Sequence, residues 1–263
     1  MPESTSRREL ALVTGASSGI GAEIARVLAA RGIELVITAR REERLATLRT
    51  DLEQAHGISV TPIVADLDTP DGARRLFDET VHRRLDVTIL INNAGFGLYG
   101  LVAGQSEEQI ASLLQVNVSA TTMLARLFGE SMCSRGHGYI LNVSSFAALQ
   151  PIPRYTIYSG AKAYLLAFSL GLRHEMRPHG VKVSVVCPGF TSTEFHAVAE
   201  HRKTSWIRMT TMPARQVARA SVQGLLRGKA VIVPGWFYKL NAQLVRVMPP
   251  TWGAAISAAV VKS

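Results

Sequence analysis

Short apolar runs alternate with amphipathic segments along most of the chain, and this alternation restricts the fold more than any other feature. The apolar runs are nearly continuous, which is typical of strands buried on both faces of a sheet. We therefore predict seven strands, at residues 10–14, 33–38, 59–64, 87–92, 139–144, 181–187 and 230–233.

Helical patterns fill the intervals between these runs. Ile24, Val27 and Leu28 form an apolar stripe at helical spacing in the first interval, and Thr69-Pro70 is expected to supply the N-cap and first residue of the third helix. The predicted helices cover residues 19–31, 42–55, 70–84, 106–134, 157–177 and 213–227. This alternation predicts an α/β fold with a doubly wound, Rossmann-like parallel sheet of about seven strands flanked by helices. We expect one domain over residues 1–263.

Composition agrees with a packed core and excludes several protein classes. Hydrophobic residues make up 47% of the chain and charged residues 19%, which excludes a disordered protein. The only two cysteines, Cys133 and Cys187, exclude a disulfide scaffold or a multi-cysteine zinc site and are expected to be reduced core thiols. No metal site is expected. No targeting segment is apparent, and we expect a cytoplasmic location.

Positive charge is concentrated in the second part of the chain. The formal net charge is +9, and ten basic residues follow Glu200, the last acidic residue. This asymmetry suggests an anionic partner, which could be a substrate, a cofactor phosphate or a membrane surface, although a solvated basic surface is equally compatible. Nucleic acid is not an expected partner, because the basic residues are scattered and accompany no recognised motif.

A glycine-rich loop lies between the first predicted strand and the first predicted helix. Glycine allows a tight turn and a close approach of the backbone to a pyrophosphate, while the helix N-terminus offers free N–H groups. The strand–loop–helix context therefore predicts a dinucleotide site. Its expected contacts from this loop are Gly15, Ser17, Ser18, Gly19, Ile20 and Gly21.

Two arginines follow the second predicted strand. An NAD site normally has an acidic residue here to hold the ribose 2′-hydroxyl, but Arg40 and Arg41 come before the first acid, Glu42. A guanidinium suits a 2′-phosphate, so we expect NADP as cofactor, with NAD the less favoured alternative. The other interpretation is a solvated helix start in which these charges pair among themselves.

Tyr158 and Lys162 are four residues apart on a predicted helix and therefore lie on the same side of it. A nearby ammonium favours the phenolate, so we expect the tyrosine pKa to fall from about 10 toward working pH. Such a tyrosine can exchange a proton with a carbonyl or alcohol oxygen. An ordinary surface pair is the alternative interpretation.

Taken together, these motifs make the chain resemble the short-chain dehydrogenase/reductase family over roughly residues 8–235. The residues that carry the resemblance are Thr14 to Gly21, Asp66, Asn92-Asn93-Ala94-Gly95, Asn117, Ser145, Tyr158-Ser159-Gly160-Ala161-Lys162 and Pro188-Gly189. The resemblance implies that Tyr158 is the general acid/base and that Lys162 tunes it and binds the nicotinamide ribose. It also implies that Ser145 holds the substrate oxygen and that Asn117 supports a proton-relay water.

Competing candidates exist for two of these roles. Ser144 is the nearest alternative to Ser145, and Tyr155 is the nearest alternative to Tyr158, although a serine rather than a cation follows Tyr155 four residues later. The resemblance also implies further cofactor contacts. They are Asp66, Asn92, Ala94, Gly95, Pro188, Gly189, Thr191 and Thr193, in addition to Tyr158 and Lys162.

The resemblance is weaker in two segments near the C-terminus. Residues 189–212 are expected to form a substrate loop, and its apolar side chains suggest a fairly apolar substrate. The tail, residues 234–263, carries Trp236, Leu240, Leu244 and Val247 at helical spacing with interspersed cations. The tail could pack on its own domain or on a partner subunit, cap the substrate site, or make weak contact with an anionic membrane.

We therefore expect an NADP-preferring oxidoreductase that interconverts a carbonyl and an alcohol on a fairly apolar, and optionally anionic, small molecule. The resemblance implies a homodimer or homotetramer, paired through the helices at 106–134 and 157–177. Two other functions stay open: a dinucleotide-dependent binding or scaffold protein, and a peripheral membrane-associated reductase of lipid carbonyls.

Overall fold

The computed structural model describes residues 9–192 and 210–262. Its main sheet has seven parallel strands in the order β3-β2-β1-β4-β5-β6-β9. The strands are β1 (Leu10–Thr14), β2 (Glu34–Ala39), β3 (Val60–Val64), β4 (Ile89–Asn92), β5 (Gly138–Val143), β6 (Val181–Val186) and β9 (Val231–Ile232). Two short strands, β7 (Thr191–Ser192) and β8 (Met212–Pro213), pair separately. The predicted seven-stranded, doubly wound fold is confirmed.

Nine α-helices lie within the described residues. They are α1 (Gly19–Ala29), α2 (Glu42–His56), α3 (Gly72–His82), α4 (Glu107–Leu114), α5 (Thr121–Arg135), α6 (Thr156–Met176), α7 (Ala214–Leu226), α8 (Trp236–Val247) and α9 (Pro250–Lys262). None of the helices described in these two ranges is long and apolar enough to cross a membrane.

The helices cover both faces of the sheet and divide the core into two layers. One layer packs α1, α2 and α7 against the sheet, through residues such as Ile24, Leu48 and Val222. The other packs α3, α5 and α6, through residues such as Leu76 and Phe128. The strands are therefore buried on both faces, as their continuous apolar sequences predict.

The predicted helix at 106–134 is wrong in one respect, because it is interrupted. A π-helical turn at Gln115–Ala120 separates α4 from α5. Such a turn inserts one extra residue into a helix. The side chains within it therefore point in other directions than they would in a regular α-helix. The turn contains Asn117, which is completely buried.

The predicted start of the third helix is also wrong. The helix α3 begins at Gly72 with Asp71 as its N-cap, so Thr69-Pro70 lies before it. The Thr69 carbonyl accepts a hydrogen bond from Gly72 N at 3.0 Å, which closes a turn ahead of the helix. The side chain of Thr69 donates to the Asp66 carbonyl at 3.1 Å and does not cap the helix.

Sheet order reverses between β1 and β4, the two central strands. In doubly wound folds the crevice beyond the carboxyl ends of such strands is where ligands bind. The glycine loop follows β1, and Asn93 to Gly95 follow β4, so both segments meet at this point of the sheet.

Candidate active site

The glycine loop is held so close to the segment after β4 that side chains do not fit at two of its positions. Gly15 has a positive φ of 64°, and a Cβ there would lie 2.9 Å from Ala94 Cα. A Cβ at Gly21 would overlap the Gly15 carbonyl and the side chain of Asn93. The loop therefore presents bare backbone before the N-terminus of α1, an arrangement that fits a pyrophosphate group.

Asn93 fixes this loop from the neighbouring strand. Its Nδ2 donates to the Thr14 carbonyl at 2.9 Å and to the Gly15 carbonyl at 3.2 Å. The Thr14 hydroxyl oxygen accepts hydrogen bonds from the backbone N–H groups of Asn93 and Ala94. The sequence predicts cofactor contacts at Asn92 and Ala94 but not at Asn93, although all three stand in the motif at the end of this strand.

Asn92 has a different position from Asn93. Its side chain is buried and donates to Asn142 Oδ1 at 2.9 Å and to the Thr121 carbonyl at 3.4 Å. The two consecutive asparagines therefore have different structural roles. Asn92 connects β4 to β5 and α5, whereas Asn93 holds the glycine loop. Their strand position alone did not reveal this difference.

Arg41 lies across the serines of the glycine loop. Its Nη2 donates to Ser17 Oγ and to Ser18 Oγ, each at 3.0 Å. Arg40 is exposed beside it. A guanidinium is therefore present where the second strand ends and next to the predicted phosphate loop, as the sequence predicts for a 2′-phosphate site.

The remaining predicted cofactor positions surround the same edge of the sheet. Asp66 follows β3, and its Oδ1 accepts a hydrogen bond from Asp68 N at 3.0 Å. The Pro188 carbonyl accepts from Phe146 N at 2.7 Å, and the buried Thr191 hydroxyl donates to the Gly189 carbonyl at 2.9 Å. Thr193 and most of the predicted loop at 189–212 lie outside the described residues.

The α6 helix and the end of β5 bring together the predicted reaction centre. The side chain of Ser145 lies beside the Tyr158 hydroxyl and accepts a hydrogen bond from Ala147 N at 3.1 Å. Lys162 is buried, and its Nζ donates to the Val143 carbonyl at 3.0 Å. The neighbouring Ser144 donates to the Lys162 carbonyl at 2.7 Å, so it anchors α6 to the sheet. Of the two serines, Ser145 is the one beside the tyrosine.

The expected lowering of the tyrosine pKa is wrong. Burial raises the pKa of Tyr158 to about 12, against a smaller lowering effect of its hydrogen bond to Ser145. Burial also lowers the pKa of Lys162 to about 8. Desolvation therefore dominates at both groups, and the lysine ammonium is directed to the Val143 carbonyl. A tyrosine of this kind is protonated at neutral pH.

Asn117 approaches the same centre from the π-helical turn. Its Nδ2 donates to the carbonyls of Phe96 and Leu113, at 3.0 and 3.1 Å. Its buried Oδ1 has no hydrogen-bond partner among the described residues. A Cβ at Gly95 would overlap this oxygen and lie 3.3 Å from Lys162 Nζ, so glycine keeps open the space between the amide and the ammonium. That unpaired acceptor fits a polar ligand or relay group.

Aromatic side chains line one side of the reaction centre. The rings of Tyr155 and Tyr158 have centroids 6.1 Å apart, and Tyr99 packs on Tyr155 at 5.1 Å. The guanidinium of Arg154 lies 5.9 Å from the Tyr99 ring centroid. Burial raises the pKa of Tyr155 to about 12, and the residue four positions later is Ser159 rather than a cation, so we assign Tyr155 to the wall of the site.

The helix α8 has two buried residues, Tyr238 and Ala242, and Tyr238 is the one that reaches the site. Its ring packs against Phe146 with centroids 5.4 Å apart, and it occupies the space that a Cβ at Gly189 would need. Its hydroxyl accepts from Phe190 N at 2.9 Å and donates to the Thr210 carbonyl at 3.1 Å. This contact was not predictable from the sequence pattern, because Tyr238 lies between the positions of the apolar stripe.

Among residues 9–192 and 210–262, no group of three or more His, Cys, Asp or Glu side chains is arranged to hold a metal ion. The residues gathered at the sheet edge instead match a dinucleotide site next to a tyrosine–lysine pair. That arrangement agrees with comparisons to known proteins.

A profile of the short chain dehydrogenase family matches residues 9–204. Nodulation protein G of a Rhizobium species is 32% identical over 252 residues, covering 94% of this chain and 100% of that protein. A very-long-chain 3-oxoacyl-CoA reductase of Pyrenophora tritici-repentis is 34% identical over 200 residues, and the match covers 74% of this chain but only 58% of that protein.

Among solved structures, a short-chain dehydrogenase from Sphingobium yanoikuyae in complex with NADPH is 30% identical, with a TM-score of 0.80. The match covers 92% of this chain and 96% of that one. Fold, motif order and site geometry agree with these similarities. The chain belongs to the short-chain dehydrogenase/reductase family of NAD(P)-dependent oxidoreductases.

Proposed function

We propose that the protein uses NADPH to reduce a carbonyl group on a fairly apolar small molecule to an alcohol. The observation that carries this proposal is the placement of the buried Tyr158 hydroxyl beside the Ser145 side chain, with the buried Lys162 on the same helix. A phenol with a pKa of about 12 is protonated at neutral pH and can donate its proton to a carbonyl oxygen. The phenol is therefore in the protonation state that a proton donor for carbonyl reduction needs.

Each residue of the site has a distinct part in this reaction. A bound nicotinamide dinucleotide supplies or accepts the hydride. Ser145 orients the substrate oxygen, and Tyr158 gives that oxygen its proton as negative charge develops on it. The Lys162 ammonium stabilises the resulting phenolate, and the Asn117 Oδ1 accepts a hydrogen bond from the group that returns the proton.

The preference for NADPH rests on Arg40 and Arg41. The side chain of Arg41 already bridges Ser17 and Ser18, so a 2′-phosphate near these hydroxyls would meet a fixed guanidinium. The solved relative in complex with NADPH agrees with this choice. The proposed dinucleotide site is completed by other predicted contacts, which include Asp66, Gly95, Gly189 and Thr191.

An apolar substrate is supported by the aromatic wall of Tyr99 and Tyr155 beside the reaction centre. Arg154 could hold an anionic group of that substrate at the outer side of the wall. The similarity to a very-long-chain 3-oxoacyl-CoA reductase also points to apolar acyl-type carbonyls. We propose that residues 1–263 form one catalytic domain and that residues 189–212 contact the substrate.

We also propose that the protein is a homo-oligomer and that it is located in the cytoplasm. Met123 on α5 and Leu170 on α6 are exposed apolar side chains, and the hydroxyls of Thr122 and Tyr164 hydrogen-bond across the two helices at 3.1 Å. These helices thus present one partly apolar surface that a second copy could cover. Cys133 and Cys187 are unpaired thiols, which agrees with a reducing compartment.

The direct test is a screen of the purified protein with NADPH and then NADH against ketones, aldehydes and acyl-derived carbonyls. Loss of nicotinamide absorbance reports turnover. We expect turnover with bulky apolar ketones and a higher kcat/KM with NADPH than with NADH. Dinucleotide binding without turnover of any carbonyl would instead favour a binding protein on the same fold.

A further inference from the structure

The helix α8 has its apolar stripe on the side that faces away from the protein. Trp236, Leu240, Leu244 and Val247 are 77%, 56%, 52% and 83% exposed. The residues that dock α8, Tyr238 and Ala242, are 4% and 5% exposed. At 3.6 residues per turn, these two lie opposite the stripe. A surface helix normally turns its apolar stripe toward the core, so this helix has a second apolar face that residues 9–192 and 210–262 leave exposed.

The following helix repeats this arrangement. Trp252 and Ile256 are 66% and 51% exposed on α9 and, being four residues apart, share one side. The adjacent Gly253 and Ser257 are buried, with Gly253 against the side chain of Gln150. Each helix of the tail is therefore held to the protein by few buried residues, and most of these are small. The large apolar side chains of both helices, including two tryptophans, face outward.

Charge identifies the kind of partner that this surface fits. Lys239 and Arg246 are exposed on α8, at one flank of the stripe. The sequence has no acidic residue after Glu200, so no carboxylate lies on α8 or α9. In a two-fold contact formed by α8 and α9 alone, both copies would contribute cations and neither would contribute a carboxylate to pair with them. A second copy is therefore disfavoured.

We infer that the outward faces of α8 and α9 form a docking surface for an anionic phospholipid membrane. Tryptophan is enriched at membrane–water interfaces, leucine and valine can enter the acyl boundary, and lysine and arginine attract anionic headgroups. This inference concerns where the enzyme resides rather than which reaction it performs. It also agrees with a fairly apolar substrate, because such compounds partition into membranes.

The test uses the full chain, because a truncation would also remove Tyr238 from the reaction centre. The protein is sedimented with vesicles of phosphatidylcholine, alone or with about 30% phosphatidylserine, at low and high salt. We expect binding to the anionic vesicles only, and weaker binding at high salt. Leu240→Ser with Leu244→Ser should weaken this binding at least about tenfold, since burying one leucine is worth roughly that factor.

A matched control places the same number of serines at exposed apolar positions elsewhere, Val64→Ser with Val81→Ser. This control should bind like the wild type, and both double variants should retain NADPH-dependent turnover. A second variant, Lys239→Gln with Arg246→Gln, removes only charge at exposed positions and should weaken binding and flatten its salt dependence.

Three results would overturn the inference. One is wild-type protein that stays in the supernatant with anionic vesicles. Another is equal binding of the wild type and both α8 variants. The third is a fall in oligomer mass of the leucine variant by light scattering without any vesicle binding, which would assign the surface to a second copy. Wild-type protein that binds anionic vesicles but reduces no carbonyl with either cofactor would instead contradict the proposed function alone.

Discussion

Lys162 Nζ lies 5.7 Å from the centroid of the Tyr158 ring and donates its hydrogen bond to the Val143 carbonyl, not to the phenol. The two groups act on each other through space in a poorly solvated site, where charge interactions are stronger than in water. Burial gives them opposite pKa shifts: the pKa of the phenol rises to about 12, and the pKa of the ammonium falls to about 8. Lys162 therefore loses its proton at a lower pH than Tyr158 does.

The pH dependence of carbonyl reduction should therefore follow Lys162 first. Below pH 8 both groups are protonated and the ammonium can stabilise a forming phenolate. As pH rises above 8, Lys162 loses its charge while Tyr158 keeps its proton, so kcat/KM, which reports the ionisation of the free enzyme, should fall. Rates measured from about pH 6 to 10 check this. In Lys162→Met the inflection should disappear, and a wild-type rate that stays constant to the upper limit would contradict the assignment.

Cofactor preference should depend on Arg41. In Arg41→Asp, charge attraction at the 2′-phosphate becomes repulsion, so kcat/KM with NADPH should fall roughly tenfold to a hundredfold while NADH is largely spared. Kinetics with both cofactors measure this difference. The same kinetics on Arg40→Asp serve as the comparison, because they show how much each arginine contributes to binding the 2′-phosphate. Equal losses with NADPH and NADH would mean that Arg41 only supports the serine loop.

The contact between Gly189 and Tyr238 predicts a rescue. Gly189→Ala forces a methyl group into the Tyr238 ring and should lower the free energy of unfolding by roughly 1–3 kcal/mol. In the double variant with Tyr238→Leu, the smaller side chain should restore part of this loss. Denaturant unfolding of the two single variants and the double variant gives the coupling energy. Additive effects would refute a direct contact.

Assembly should depend on the exposed apolar residues of α5 and α6. Met123→Glu with Leu170→Glu adds charges that a buried subunit interface would have to desolvate, so the oligomer should dissociate. Light scattering of the wild type and the variant measures the masses. The exposed Val81→Glu on α3 is the matched control and should not change the mass. A monomeric wild type at high concentration would exclude the proposed homo-oligomer.

The strand and helix order was predictable because doubly buried strands have a distinctive sequence pattern. Interruptions of that pattern, in contrast, were not predictable from the sequence. The π-helical turn around Asn117 adds one residue without breaking the apolar run, and the Thr69-Pro70 pair looks like a helix start although Asp71 caps α3. Both errors concern local hydrogen-bond patterns that the apolar periodicity does not report, such as the turn closed between Thr69 and Gly72.

In the site, residue types were easier to predict than their surroundings. The sequence motifs indicated Ser145, Tyr158 and Lys162, but the effect of burial on their pKa values depends on how α6 packs on β5. Similarly, the helical spacing of Trp236, Leu240 and Leu244 predicted a helix but not the side on which it docks. Tyr238 decides that side by packing against Phe146.

Replacement of the Tyr158 hydroxyl tests the central claim most directly. Tyr158→Phe keeps the ring and removes the proton that the site would transfer, so turnover of a ketone with NADPH should fall roughly 10²–10⁴-fold. NADPH affinity, measured by nicotinamide fluorescence, should stay within about twofold of the wild type, because the loss would be confined to the chemical step. A variant that binds NADPH normally and reduces the ketone at nearly the wild-type rate would contradict the assignment of Tyr158 as the proton donor.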